Sequence, residues 1–336
     1  MQLVFDNFTD CYVSLANLVY HSPDFISEPR GKRVREKLGV KFTITNPRHR
    51  IPYVPVRKFS VFYMVGELLW YLSGENSTDW ISYYSSFWKN ISDDGKTANS
   101  AYGSRLFKPH PRIADAKFIQ WQYIIDELRR DPDSRRAVVH IRVPDDSIEA
   151  KLDVPCTLTL QYFLRDNALH QIVNMRSSDL ILGIAYDVPA FTFFQEMLAS
   201  ELGVELGTYT HISNSLHIYE RHFDMVEEML VSHNLSEARM SQMSRGPMPA
   251  FGHNIPVREM MIVDQGIREC STEEAIKELI DEFAMLENDD IDFWTDWMKV
   301  IGSYRLKKMG MLLESRGMLS SAKFVGYHQL RGDYNA

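Results

Sequence analysis

Cysteine is scarce in this chain: three among 336 residues, Cys11, Cys156 and Cys270, far apart and without a C-x-x-C pair. An odd, scattered set of this kind is neither a disulfide framework nor a zinc site, and it suits a reducing cytosol. Positive charge is also short, with 37 Lys and Arg against 45 Asp and Glu and a formal net charge of -8. A protein whose main task is to grip nucleic acid usually carries a basic footprint. Nucleic acid is therefore not expected as a partner, although a local cationic pocket for one phosphate is compatible with the balance. No apolar run approaches the roughly 18–20 residues that span a bilayer. The stretch Met1-Gln2-Leu3-Val4-Phe5-Asp6 lacks the basic region and apolar core of a signal peptide. The expectation is a cytoplasmic protein with no membrane contact. The chain also has no glycine-rich phosphate loop, no H-E-x-x-H helix and no G-x-S-x-G elbow, so those enzyme classes lose support and no metal is expected. Repeats, low-complexity tracts and long Pro/Gly/Ser linkers are missing too.

What is present is core. With 45% hydrophobic and 12% aromatic residues, 336 positions can bury one large domain or two ordinary ones. Residues 60–72 form a strongly apolar helix candidate that stops at Ser73-Gly74 and carries a single acid, Glu67. Residues 77–96 are polar and aromatic, suited to loop and short helix. Helical spacing of Ile119, Tyr123, Ile124 and Leu128 predicts a helix over 118–130, ending before Asp131-Pro132. Residues 137–143, 157–164 and about 170–175 read as strands, the last two joined at the Asp166-Asn167 turn. A long apolar helix is expected over 188–202 before Gly203, and another over 217–229. Ser271-Thr272-Glu273-Glu274 fits a capping box before a helix over 275–285. Strands clustered centrally with helices around them predict an α+β fold rather than regular βαβ alternation. We expect one catalytic domain over 1–336, with a mainly helical extension from about 266.

The candidate chemistry centres on Val154-Pro155-Cys156, followed by Arg176-Ser177-Ser178-Asp179 and Gly183-Ile184-Ala185-Tyr186-Asp187. A lone free cysteine is usually a small hydrophobe, so the weight rests on the whole set. Glu67 in an apolar helix is either a hydrogen-bonded acid or a carboxyl with a raised pKa, fit for moving protons near neutral pH. Arg135 and Arg136 after Asp131-Pro132-Asp133-Ser134 are either a solvated turn or two guanidinium forks for a phosphate. Arg176 ends a predicted strand, where core packing would not ask for a permanent cation. His217 and Tyr219 serve equally as packing or as hydroxyl-binding donors.

Together these residues resemble the thymidylate synthase family, which includes the pyrimidine nucleotide hydroxymethylases. The resemblance runs from about residue 30 to 224. It rests on Glu67-Leu68-Leu69-Trp70, Trp88, Tyr102-Gly103, Asp131-Pro132-Asp133-Ser134-Arg135-Arg136, Pro155-Cys156, Arg176-Ser177-Ser178-Asp179 with Leu182-Gly183, and His217-Ile218-Tyr219. It implies a mixed β-sheet with surrounding helices, packed at a homodimer interface. It implies Cys156 as the nucleophile toward C6 of a pyrimidine nucleoside monophosphate, and 5,10-methylenetetrahydrofolate as the co-substrate. Arg176 would hold the phosphate, beside Ser177, and lower the thiol pKa. Arg135 and Arg136 would reach the other subunit's phosphate, and Arg30, with Arg33 as competitor, would complete the clamp. Glu67 and Tyr102 would handle protons, His217 and Tyr219 would hold the sugar, and Trp88, Asp179 and Gly183 would face the folate.

Three departures bear on the substrate. Thymidylate synthases carry Asn where this chain has Asp187. An amide matches uracil, donating to O4 while accepting from N3–H; a carboxyl accepts from cytosine N4 and shares a proton with N3. The usual His after the nucleophile is Thr157, and the chain ends Arg331-Gly332-Asp333-Tyr334-Asn335-Ala336 rather than in an apolar tail. The resemblance therefore points to 5-hydroxymethylation of CMP or dCMP, with reductive methylation of dUMP or dCMP as the alternative. Trp88, which shields the intermediate from water in the synthases, is retained and favours the alternative. An intact Glu67, Cys156 and Arg176 weighs against a silent nucleotide-binding homologue.

Overall fold

The computed structural model of the chain describes residues 3–109, 118–148, 151–232, 256–288 and 291–322. In chain order its strands are β1 Leu3–Phe5, β2 Phe25–Ser27, β3 Val34–Ile44, β4 Val138–His140, β5 Thr157–Arg165, β6 Ala168–Met175, β7 Ser178–Asp179 and β8 Glu205–Tyr219. The helices of the first two thirds are α1 Phe8–His21, α2 Val61–Ser73, α3 Thr78–Ile81, α4 Phe87–Ile91, α5 Tyr102–Phe107, α6 Gln120–Arg130, α7 Ala185–Leu202 and α8 Phe223–Ser232. Four more follow: α9 Val257–Glu269, α10 Glu273–Ala284, α11 Ile291–Lys308 and α12 Leu312–Ser321. The fold is α+β, as expected, and among the described residues no helix is long and apolar enough to cross a membrane.

The strands make one mixed sheet in the order β1-β3-β8-β6-β5-β4, with β2 on β3 and β7 on β8. β6 runs parallel to β8, while β5 pairs antiparallel with both β6 and β4. The β5–β6 hairpin turns at Asp166-Asn167, both with positive φ (49° and 57°), the conformation a two-residue hairpin needs. One sheet face carries the row Phe42, His211, Val173, Leu160 and Val139, all fully buried. It packs against α6 and α7, with Trp121 edge-on to both Tyr162 and Phe194. The opposite face carries Lys41, Ile212, Asn174, Thr159 and His140, half-buried to exposed.

Helix α7 is apolar all round, which a helix tolerates only when surrounded; Val188 to Ala199 are buried without a break. It ends at Gly203, whose φ of 68° suits a residue without Cβ. Ser60 caps α2 by accepting from Tyr63 N, and Gly74 closes it in the left-handed region. Thr272 caps α10 through Ala275 N, as the S-T-E-E pattern suggested.

Two expectations need correction. The helix placed over 217–229 begins only at Phe223, because β8 continues to Tyr219, paired along β3 and, at Leu216 and His217, with β7. Long β8 partners, invisible in the local sequence, override the helical reading there. The C-terminal helical part starts at Val257 rather than about 266. It packs against α2 through α9 and α11. Residues 331–336 lie outside the described residues, as do 240–255.

The strongest buried charge contact binds α7 to the segment after β3. Glu196, 4% exposed, takes Arg48 Nε at 2.8 Å and pairs with Arg50, itself 1% exposed. These arginines outweigh the cost of burial and hold the Glu196 carboxyl below its usual range. Removing one partner of such a pair strands a charge. Arg50→Ala should lower the unfolding free energy by about 3–5 kcal/mol in urea denaturation, whereas Lys41→Ala on the open sheet face should change it by less than about 0.5 kcal/mol.

Candidate active site

Cys156 lies one residue before β5, half-buried, at the end of a loop that Arg176 holds shut. Arg176 N donates to Cys156 O at 2.9 Å, its Nε to Pro155 O at 3.0 Å and its Nη2 to Val154 O at 2.8 Å. The loop is tied a second time where Ser100 N donates to Asp153 Oδ2 at 2.9 Å. The backbone around Cys156 is thus built by an arginine from β6's end. The thiol itself differs from expectation. Burial raises its pKa, Arg176 and Arg30 pull it down, Asp187 and Asp153 push it up, and the balance is a raised value. Arg176 acts in the expected direction but loses to desolvation.

Glu67 sits in the middle of α2 between two tyrosines. Tyr63 donates to its Oε1 at 2.5 Å and Tyr71 to the same oxygen at 3.2 Å. Trp88 Nε1 donates to Tyr63 OH at 3.0 Å, so indole, phenol and carboxyl form one chain of hydrogen bonds. Burial pushes the Glu67 carboxyl up to about 8; the Tyr63 bond opposes it, the Asp187 charge adds to it and the Tyr71 bond opposes it. Neither tyrosine was singled out from sequence, yet the signal was there: residues 63, 67 and 71 are spaced i, i+4, i+8 on one helix face.

Asp187 enters from the first turn of α7. Burial, reinforced by the Asp179 charge, pushes its carboxyl up to about 7. Gly183 makes room for it: a Cβ there would stand 3.2 Å from Asp187 Oδ2. Asp179 caps the π-turn Leu180–Ile184, its Oδ1 accepting from Ile181 N at 2.8 Å and Leu182 N at 3.1 Å. The same turn is pinned from behind by the buried Arg57, whose Nε donates to Ile181 O at 2.8 Å, another residue that sequence reading missed. Tyr102 stacks on Tyr71 (5.4 Å) and Phe191 (5.6 Å). That approach depends on Gly103, where a Cβ would fall 2.0 Å from Tyr71 O. Desolvation, with Asp187 and Cys156 adding, raises the Tyr102 hydroxyl's pKa well above its usual value.

β7 lies beside β8, with Asp179 opposite His217, so the carboxylate and the His217–Tyr219 pair (ring centroids 5.1 Å) share one edge. Arg30 has a left-handed φ of 53° and is close enough to act on the Cys156 thiol. Arg33 is paired instead with Glu220 at 3.2 Å. Ser177, half-buried, follows Arg176 directly. Arg135 and Arg136 are not brought in. Val138 pairs with Gln161, and Gln161 Nε2 donates to Arg135 O at 3.0 Å, which sets Arg135 beside a β5 residue five positions from Cys156. At about 3.3 Å per residue that is roughly 17 Å.

Residues 10–251, well over half of the chain, match the family model described as thymidylate synthase. The chain is 33% identical over 219 residues to a protein of Bacillus phage SP01 named deoxyuridylate hydroxymethyltransferase, covering 63% of this chain and 57% of that protein. It is 34% identical over 207 residues to one of the same name from Delftia phage PhiW-14, covering 58% and 56%. With the thymidylate synthase of Bacillus phage phi3T it shares 30% over 176 residues, covering 52% and 63%. The chain thus spans less than two thirds of the length of these curated relatives. Among solved structures, thermostable thymidylate synthase A from Bacillus subtilis matches in fold, with a TM-score of 0.55, 24% identity, and coverage of 67% of this chain and 84% of that one.

The buried acid makes a stability prediction. An acid whose folded pKa is raised keeps its proton between its ordinary value and about 8, while the unfolded chain releases it. Folding stability therefore falls as pH rises through that window. Glu67→Gln removes the penalty and keeps an oxygen for Tyr63. Relative to the parent it should gain roughly 1–4 kcal/mol on going from about pH 5 to about pH 8, read from urea midpoints. Equal changes at both pH values would mean that Glu67 is not the buried neutral acid.

Proposed function

The chain belongs to the thymidylate synthase family, and on that premise we propose that it transfers a one-carbon unit to C5 of a pyrimidine nucleoside monophosphate, as a hydroxymethylase of CMP or dCMP. Bound 5,10-methylenetetrahydrofolate supplies the carbon at the oxidation level of formaldehyde. The family relationship, the apolar surface of half-exposed Leu182 beside the Asp179 carboxylate, and the Trp88 indole support a folate site at this cleft.

In this reading Cys156 bonds to C6 as thiolate, and the electron pair released from the C5–C6 bond makes C5 the nucleophile toward the one-carbon unit. The C5 proton then leaves through the Tyr102 hydroxyl, which passes its own proton to water as it takes this one; the bond from the transferred carbon to the folate nitrogen breaks to release tetrahydrofolate, and water adds at the new exocyclic carbon. Elimination of the Cys156 thiolate restores the ring. The balance is nucleotide plus methylenetetrahydrofolate plus water giving hydroxymethyl nucleotide plus tetrahydrofolate, with no net oxidation. Glu67, held near neutrality by burial, exchanges protons with water and the base through the Tyr63 and Tyr71 hydroxyls. Because the Cys156 pKa is raised in the free protein, the thiol needs a base at the moment of attack rather than resting as thiolate.

Asp187 is the observation that carries the choice of cytosine. It is a half-buried carboxyl where an amide would match uracil, and its raised pKa lets one proton be shared with cytosine N3 while an oxygen accepts from N4. Leaving a buried partner unmatched costs about 1–3 kcal/mol, or roughly tenfold to hundredfold in preference. A second reading, hydroxymethylation of dUMP, is favoured by the same proton. A neutral carboxyl donates to uracil O4 and accepts from N3–H as an amide does, and the two phage relatives at 33% and 34% identity are named for deoxyuridylate.

Arg30, Arg176 and Ser177 take the phosphate in this proposal, and His217 and Tyr219 the sugar. Arg135 and Arg136 lie too far from their own Cys156 to join. They serve the site of a second copy, docked through the half-buried sheet face bearing Ile212, Asn174 and Thr159, as a C2 dimer allows.

Mass spectrometry after incubation with methylenetetrahydrofolate and CMP, dCMP or dUMP separately tests the proposal. A cytidylate should gain one CH2O, and Asp187→Asn should shift preference toward dUMP by at least about tenfold. A dUMP gaining CH2O in the parent would select the second reading. A dUMP gaining CH2 with dihydrofolate formed would mean reductive methylation. Cys156→Ala should abolish turnover and keep nucleotide binding; turnover surviving in this variant would sink the covalent route.

A further inference from the structure

Tyr84, four residues before Trp88, packs on the residue before Glu67 and belongs to neither the sheet nor the site. The ring of Tyr84 lies directly on α2: its Cγ and Cδ2 are 2.6 Å, and its Cδ1 2.9 Å, from where a Cβ on Gly66 would stand. Gly66 is the residue before Glu67, and the contact exists only because it has no side chain. Tyr84 OH donates to Asp264 Oδ1 at 2.5 Å. Asp264 is on α9, fully buried, and pairs with Arg268 Nη2 at 2.6 Å. The Arg268 guanidinium lies over the rings of Trp80 (4.7 Å), Tyr83 (4.3 Å) and Tyr84 (5.3 Å) and donates to Trp80 O at 3.2 Å. From α11, Tyr304 stacks on Tyr84 at 5.2 Å and on Phe62 of α2 at 5.1 Å. Four residues beyond Tyr84, Trp88 meets Trp70 edge-on at 4.9 Å and bonds Tyr63.

We propose that the C-terminal helices are a positioning device for the reaction: the Asp264–Arg268 pair orients Tyr84, and Tyr84 sets α2 and the Trp88 segment at the spacing the hydrogen-bonded chain Trp88–Tyr63–Glu67 requires. The inference rests on the activity proposed above. Bulk stability is a poor explanation for the pair, because a buried ion pair is commonly no better for stability than apolar packing of the same volume. Its distinctive property is direction. The carboxylate fixes the phenol by one short bond, and the guanidinium is held flat by three rings. A shift of about 1 Å between reacting groups can cost a hundredfold in rate, and Trp88 and Glu67 sit on separate elements, α4 and α2, with Tyr84 and its partners tying α2 and the segment before α4 to α9 and α11.

The test uses the full chain carrying Tyr84→Phe, which keeps the ring, and Asp264→Asn, which keeps an acceptor but not the charge. Nucleotide affinity without folate, measured calorimetrically, should stay within about twofold, because the nucleotide's proposed ligands lie elsewhere. The kcat should fall about tenfold or more and the pH profile of kcat should shift. The Glu67 carboxyl, followed by infrared titration against a Glu67→Gln blank, should titrate about one unit lower as water gains access. Its other titratable neighbours, Tyr63, Tyr71, Tyr102 and Asp187, are unchanged by these variants. Folded variants with the parent's kcat, pH profile and Glu67 titration would overturn the inference, as would equal losses of affinity and kcat. If Asp264→Asn does not fold, Tyr84→Phe decides by the same readouts. A parent inactive on every pyrimidine nucleotide would sink the proposed activity alone, since the infrared titration still reports whether Tyr84 sets the environment of Glu67.

Discussion

The exclusion of water from Glu67 and Asp187 is the constraint on which the rest of the site depends. Two carboxyls in one dry space cannot both ionise cheaply, and burial is the first cause of the raised pKa of each. Tyr63 and Tyr71 supply Glu67 with the hydrogen bonds that water would otherwise provide, and their hydroxyls, like that of Tyr102, are pushed well above the usual range by burial. The Cys156 thiol shares this cost. Cys156 has Arg176 and Arg30 nearby and still ends with a raised pKa. A dry site of this kind keeps protons on its acids near neutral pH, the condition for general acid–base chemistry there.

Keeping water out is a task for the scaffold. α7, buried from Val188 to Ala199, holds Asp187 on its first turn, and Gly103 allows an approach no side chain could. The polar contacts that hold the site are mostly side chain to backbone: Arg176 to the Val154-Pro155 carbonyls, Arg57 to Ile181, and Asp179 to the turn after it. These bonds fix where the loops run while leaving Cys156 at an edge, half-buried. The four C-terminal helices extend the same logic to the far side of α2, where Tyr304 and Tyr84 fill the space against Phe62 and Gly66.

Much of the fold was legible where a segment's neighbours are close in sequence. The apolar α2 with its Ser60 and Gly74 ends, the β5–β6 hairpin about Asp166-Asn167 and the Thr272 cap all follow from local chemistry. The end of β8 did not, because its strand character comes from β3 and β7, partners well over a hundred and about forty residues away. Tyr63 and Tyr71 were legible as spacing and were passed over, since a tyrosine in an apolar helix reads first as core. Arg57 gave no local signal at all: its partner, Ile181 O, is 124 residues distant.

By itself the sequence determined which chemistry is available: one cysteine after a proline, an acid in an apolar helix, and a carboxyl at 187 where an amide would serve uracil. Residue identity sets donors, acceptors and nucleophiles, and these do not change with folding. Only the tertiary structure decided the protonation of those groups and which of them meet. The pKa of Glu67, Asp187 and Cys156 depends on how much water and how many charges surround each, and that depends on every element packed against it. The same holds for reach. Arg135, Arg136 and Arg176 are alike as side chains, but the antiparallel run of β5 sets the first two by Gln161, roughly 17 Å from the cysteine that the third holds in place.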